Sequence, residues 1–485
     1  MEYSSKEDIA ILTLGKIAQM FLLLISVRIY TAYLPNSEIG SLVLIISTFS
    51  LFSLVAINPV GVFINRSLHG WDSSGTIFRG IFIFSLYVFS ISLLAFFTPF
   101  LFVNLGIGLS INTFLFGLSL SLFLYFNTLN QTVIPSLNLF LYRKQFVVFT
   151  TLSLVIHIVF STIIVDTIST TAFGWIFGQI VGLMIGFFYA LKFLVSEKYK
   201  RISVKKKADT GGFQGVFKFS LPLAVSALFI WTLINAHRFF IEYFDGIEQL
   251  AYIGLGFTIA TSLSGSVESL LMQVFHADFY NKLSLSKIKS EREAAFQELV
   301  NSFIPPLFIS LLCIIILSPY ITTILTGERF LGLYKFLIAG VVIEFFRIYA
   351  NLLTSSMHSE HRTSKGIVPY VVGALISLVF TYIAMLSNDW KFFLPVALIL
   401  SWFLVFYLMI RYSKRVMEFN PFPRGIPQLI IMCLPIIALS LSFTHESEKF
   451  LTALFILALS GVYIVCIMYY IFIKKTSIFN YFIKY

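Results

Sequence analysis

Charge is what this chain has least of. Lys, Arg, Asp and Glu make up 12% of its 485 residues, about half the share of a water-soluble domain. Cysteine is scarce too. Cys313, Cys433 and Cys466 all fall in apolar segments and have no metal-ligand spacing, so they read as buried small hydrophobes. No G-x-x-x-x-G-K-[ST] loop occurs, which argues against an ATP-driven pump. The seven histidines form no H-E-x-x-H or comparable ligand set, and no serine nucleophile elbow is present, so no enzyme chemistry is expected. No outer loop is long enough for a catalytic domain or a large lid, which counts against a membrane polymerase, ligase or glycosyltransferase.

What is there is hydrocarbon. Hydrophobic residues make up 58% of the chain, with 55 Phe among them. Apolar stretches of about 20 residues have the length of transmembrane helices. Fourteen are read, at 10–34, 39–62, 77–98, 106–127, 146–165, 171–194, 216–242, 250–275, 300–325, 332–355, 367–387, 391–410, 427–443 and 452–473. The thirteenth is the shortest and follows Pro421, Pro423 and Pro427. The first is not a cleavable signal peptide, because Glu7 and Asp8 precede it and Lys16 and Arg28 interrupt it.

Loop charges orient these spans. With the N-terminus in the cytoplasm, the inner segments hold Arg66, Arg79, Arg143, Lys144, the run from Lys198 to Lys207, Lys282 to Arg292, Arg362, Lys365, Arg411 to Arg424 and the C-terminal lysines. The outer loops hold only Arg329, Lys391 and Lys449. This is the positive-inside pattern. It accounts for the net charge of +11 without a nucleic-acid partner. Both termini are expected on the cytoplasmic side.

A basic stretch at 196–215 reads as a linker between an N-terminal lobe, 1–195 with six spans, and a C-terminal lobe, 216–410 with six more. Two helices are appended at 411–485. Each lobe opens with a helix bearing a Lys near one end, Lys16 or Lys218, and an Arg further on, Arg28 or Arg238. Two similar lobes suit a transporter that alternates access about a pseudo-two-fold axis.

Function is then sought in polar groups inside the spans, where a charge costs a few kcal/mol or more, about 2.5 to 3.5 on insertion scales. Lys16 either snorkels or faces a cavity. Arg28, with Tyr30 and Tyr33, either anchors an interface or lines that cavity. Span seven carries Asn235, Arg238 and Glu242 on one face. Arg238 reads either as the partner of Glu242 or as a cavity guanidinium, whose fork suits a phosphate or pyrophosphate. Glu268 reads as a proton- or cation-coupling group or as a structural hydrogen bond. Glu344 and Arg347, three apart, pair or leave Arg347 to the cavity. Asn127, Asn130 and Gln131 end span four as a polar stripe, either lining a cavity mouth or gluing helices. The Asn58-Pro59-x-Gly61 sequence is expected to break a helix.

The sequences Leu14-Gly15-Lys16 through Arg28-Ile29-Tyr30-Thr31, Glu38-Ile39-Gly40 and Lys218-Phe219-Ser220-Leu221-Pro222 resemble those of bacterial polysaccharide and O-antigen repeat-unit flippases. These belong to the multidrug/oligosaccharidyl-lipid/polysaccharide flippase superfamily. The resemblance implies an all-α, V-shaped fold like that of the superfamily's multidrug (MATE) transporters. It also implies translocation of an undecaprenyl-diphosphate-linked oligosaccharide from the cytoplasmic to the outer leaflet. Arg28 and Arg238 lie on the helices whose arginines contact the diphosphate in relatives. The reading of the spans themselves adds Lys16, Asn235, Arg347, Asn127 and Gln131 as candidate substrate residues, with Glu242, Glu268 and Glu344 in coupling or pairing roles. No cofactor or metal is expected. With no ATP-binding loop, the expected energy source is an H+ or Na+ gradient, the membrane potential or downstream consumption of the product. The implied partners are membrane lipids, a polysaccharide polymerase and a chain-length regulator. The alternative within the superfamily is a cation-coupled drug antiporter.

Overall fold

A computed structural model describes residues 6–73, 75–199, 213–286, 288–326, 328–360, 362–423, 426–443 and 449–473. The centre of the basic linker and the lysines at 474–484 lie outside these residues, as do the side chains of Arg66 and Lys218. Every regular element among the described residues is helical. The order is α1 Lys6–Tyr33, α2 Asn36–Phe52, a π turn Ser53–Ile57, α3 Asn58–Ser73, α4 Ile77–Asn104, α5 Thr113–Leu139, α6 Arg143–Thr167, α7 Ala172–Tyr199 and α8 Phe213–Asp245. It continues with α9 Ile247–Leu285, α10 Lys289–Leu325, a 3-10 turn Glu328–Leu333, α11 Tyr334–Ser359, α12 Ile367–Met385, α13 Trp390–Lys414, α14 Ile426–Ser442 and α15 Phe450–Ile473. A further 3-10 turn, Thr363–Gly366, leads into α12.

Thirteen spans among the described residues are long and apolar enough to cross a membrane, and α14 contributes a shorter apolar helix, Leu429–Ser442. This is a multi-pass membrane architecture. Helices α9 and α10 contain 39 and 37 residues. At 1.5 Å per residue they reach about 55 Å or more, well beyond a hydrocarbon core of about 30 Å. Their polar ends are tied by Lys282 to Asp278 and Glu298 at 2.9 and 2.6 Å, and by Arg292 to Glu360 at 2.6 Å.

Two local expectations need correction. Asn58-Pro59 does not break its helix: α2 and α3 run on through the π turn, whose wider winding takes in a proline that cannot donate. The Ala56 and Pro59 carbonyls accept from Tyr87 Oη at 2.8 Å and Ser220 Oγ at 3.2 Å. The fourth expected span is α5, Thr113–Leu139, rather than 106–127. Gly106 and Gly108, at φ +79° and +70°, turn the preceding apolar run into a loop. Asn112 caps the helix, its side chain accepting from Leu115 N–H at 3.0 Å. The polar stripe Asn127–Asn130–Gln131 therefore lies within the helix, not at its end.

The chain divides by packing into Met1–Ala251 and Tyr252–Tyr485, so α8 packs with the helices before it. This boundary falls one helix later than the division expected at the basic linker.

In the first unit, the short sequences that carry the family resemblance are packing devices. A side chain at Gly15 would lie 2.6 Å from Val147 of α6, and one at Gly40 would lie 2.0 Å from the Ile247 carbonyl. Glu38 accepts the Ala172 N–H at 2.8 Å and so caps α7. A second close seam joins α6 and α7. Gly178, Gly182 and Gly186 face Ser161, His157 and Ser153, and a Cβ at Gly178 would lie 2.2 Å from Ser161 backbone. This is small-xxx-small packing, which lets backbones approach where lipid supplies no hydrophobic drive.

In the second unit, α14 packs on α10 through a buried cluster that includes Ile309, Cys313, Leu317, Tyr320, Leu429 and Cys433. The segment between α13 and α14 is held by paired bonds, Asn420 N–H to Gln297 at 2.6 Å and Glu418 N–H to Glu293 at 2.8 Å.

Candidate functional site

The intramembrane polar groups gather into two centres, one in each unit. In the first, Trp231 and Arg238 lie seven residues apart on α8 and share a face. Both reach Ser47 of α2. Arg238 donates from a terminal nitrogen to the Ser47 hydroxyl at 3.0 Å. Trp231 Nε1 donates to the Ser47 carbonyl and the Ser50 hydroxyl, each at 3.0 Å. Arg238 is 7% exposed, Asn235 one turn earlier is buried, and the buried Tyr30 phenol lies within electrostatic reach of the guanidinium.

Glu242 is engaged elsewhere. Its Oε1 accepts the Gly108 N–H at 2.8 Å and its Oε2 is buried without a hydrogen-bond partner. It pins the 105–112 loop to α8 instead of orienting Arg238. Lys16 and Arg28 are partly exposed on α1.

On α5, Asn127 is partly buried and Gln131 is exposed. Asn130 is buried and donates to the Leu183 carbonyl at 3.0 Å and Ser153 Oγ at 3.3 Å. Ser153 passes the chain on to the Gly182 carbonyl at 3.0 Å. Asn130 thus joins α5, α6 and α7 as a buried connector. The glycines at positions 178, 182 and 186, four apart, were the sequence signal for this seam.

The second centre lies on α9, α11 and α12. Arg347 is bonded to both Glu344 and Glu268, each at 2.7 Å. Glu344 also accepts from Thr261 at 3.0 Å, Asn351 donates to Glu268 at 3.5 Å, and Tyr370 donates to Asn351 at 2.9 Å. The side chains of Arg347, Glu268 and Glu344 are 14%, 16% and 4% exposed. Two carboxylates against one guanidinium leave a formal surplus of one negative charge. That surplus favours a cation or a proton over a phosphate. The pairing of Glu344 with Arg347 matches the spacing in sequence, whereas Glu268 arrives from 79 residues away. No group of three or more metal-ligating side chains is found among the described residues.

No family model and no curated protein matches this chain by sequence. Solved structures do match by fold. The lipid II flippase MurJ, in an inward closed conformation, superposes with a TM-score of 0.61 at 17% identity. The match covers 97% of this chain and 100% of that one. An inward-facing multidrug resistance MATE family transporter of the MOP superfamily gives 0.57 at 13% identity, over 82% of this chain and 95% of that one. A mutant of the Vibrio cholerae MATE transporter VcmN gives 0.55 at 9% identity, over 84% and 95%. The all-helical fold described above is the fold shared by the MurJ flippase and the MATE transporters.

Proposed function

We propose that this protein is a flippase, moving an undecaprenyl-diphosphate-linked oligosaccharide of a polysaccharide pathway, an O-antigen or capsule repeat unit, from the cytoplasmic to the outer leaflet of the inner membrane. The observation that carries this reading is the extent of the structural likeness. It runs through nearly the whole chain and the whole of a lipid II flippase, whereas the likeness to the MATE transporters covers 82–85% of the chain. Arg238 supports it chemically. Its guanidinium is held inside the membrane-spanning part of α8, and its planar fork matches the oxygens of a phosphate.

In this reading α8 draws away from Ser47 and the guanidinium fork takes the diphosphate, while the prenyl tail stays in lipid. No covalent bond changes. Lys16, Arg28, Asn127, Gln131 and Asn235 serve the headgroup and glycan. The acid-rich Glu268–Arg347–Glu344 centre is the site that couples the cycle to an H+ or Na+ gradient. A polymerase and a chain-length regulator receive the product.

One observation favours a second reading, a cation-coupled antiporter. The second centre is acid-rich, as a site for an organic cation would be. The deciding experiment is reconstitution in liposomes with a fluorescent undecaprenyl-diphosphate oligosaccharide and, in parallel, a fluorescent organic cation. Flipping of the first with no uptake of the second supports the flippase. Uptake of the cation alone by folded protein replaces it with the antiporter.

A further inference from the structure

Cys313 on α10 and Cys433 on α14 belong to one buried cluster, at 2% and 0% exposed. The surrounding register holds them there. Tyr320 Oη donates to the Ser440 carbonyl at 2.7 Å and Ser440 Oγ donates to the Ile316 carbonyl at 3.2 Å. Tyr320 and Ser440 each lie seven residues after the corresponding cysteine. The cluster repeats this offset along both helices, with Ile309 and Leu429, Cys313 and Cys433, and Tyr320 and Ser440 at the same spacing, so two turns back from the tyrosine tie the two cysteines stand level on packed helices. Facing positions of this kind are what a disulfide needs.

We propose that Cys313 and Cys433 are an oxidisable dithiol whose disulfide staples α14 to α10. Cys433 lies roughly 10 Å or more from either end of α14, so hexacyanoferrate, glutathione disulfide and other charged oxidants do not reach it. The oxidant class that does is a lipid-soluble quinone. Two S–H bonds break and one S–S bond forms, and the quinone takes up two electrons and two protons to become the quinol. The pair responds to the redox state of the membrane and not to that of the cytosol. Cys466, exposed on α15, is the internal comparison.

The test uses the full chain in liposomes, treated with a short-chain benzoquinone or with hexacyanoferrate. After quinone, non-reducing peptide mass spectrometry is expected to show the Cys313 and Cys433 peptides linked with the loss of two hydrogens. Titratable thiols in denatured protein fall from three to one. The oxidised form melts at a higher temperature, and dithiothreitol applied after unfolding restores the thiols. Hexacyanoferrate produces no such link, and Cys433→Ala and Cys313→Ala each abolish it. Quinone adducts on Cys466 with no linked peptide would overturn the proposal. A link that leaves the melting temperature unchanged would overturn the staple.

Discussion

Two arginines inside this membrane protein are held in opposite ways. Arg238 of the first unit is bonded to the Ser47 hydroxyl, and the carboxylate on its own helix, Glu242, is spent on a loop N–H. Arg347 of the second unit lies between two carboxylates. The same side chain is thus tied to a hydroxyl in one place and to two carboxyl groups in the other. Residue type and depth in a span do not assign a role to an intramembrane arginine; the groups that surround it do.

The largest effect is expected from breaking the second arrangement. Arg347→Leu leaves two neighbouring carboxylates in a low-dielectric setting, a change that costs about 3–5 kcal/mol. Thermal melting in detergent should drop sharply and the yield of monodisperse protein should collapse. The triple variant Arg347→Leu with Glu268→Gln and Glu344→Gln should recover much of that loss. A single variant as stable as wild type would show that the ion cluster does not form.

Arg238→Ala comes next. It removes one charged hydrogen bond, worth about 1.5–3 kcal/mol, and should leave a folded protein whose flipping rate falls at least tenfold. Arg238→Lys should recover only part of the rate, because an ammonium lacks the planar fork. Normal flipping in Arg238→Ala would reduce this arginine to a tie between α8 and α2.

Glu268→Gln sharpens the comparison from the other side. The amide oxygen can still accept from Arg347 at the cost of the long 3.5 Å bond from Asn351, but the group cannot exchange a proton. Flipping driven by an imposed proton gradient should lose its dependence on that gradient while the melting temperature shifts little. A gradient response equal to wild type would move coupling elsewhere. The smallest effect belongs to Glu242→Gln, whose amide oxygen can still accept the Gly108 N–H. Flipping within twofold of wild type is expected, and a large loss would restore Glu242 to the Arg238 site.

Much of the fold was legible because lipid imposes a simple rule on composition. Each expected span corresponds to a helix, α14 included, and the resemblance to the flippase superfamily agrees with the fold found by structure. The misplaced fourth span shows where the rule fails. The sequence Leu105-Gly106-Ile107-Gly108-Leu109 is apolar enough to read as membrane, yet two positive-φ glycines make it a loop. Hydropathy carries no backbone information there. The candidate site was legible only locally. Neighbours on one helix, such as Glu344 and Arg347, follow from spacing. The capture of Glu242 by Gly108, 134 residues away, and the arrival of Glu268 beside Arg347 follow from tertiary packing alone. Gly15, Glu38 and Gly40 of the Leu14-Gly15-Lys16 and Glu38-Ile39-Gly40 fragments sit where helices touch.

The π turn at Ser53–Ile57 acts as a phase offset between two halves of one rod. Each residue of an α-helix advances the winding by about 100°, and the turn absorbs one residue more than α winding would hold. Deleting one residue from 53–57 would therefore let the rod wind evenly from Asn36 to Ser73 and leave α3 in nearly its present phase, with the Pro59 carbonyl still toward Ser220 of α8. A one-residue deletion inside the regular winding of α2 would instead rotate everything beyond it by about 100°. The turn is thus the one stretch of this rod where losing a residue is expected to be mild.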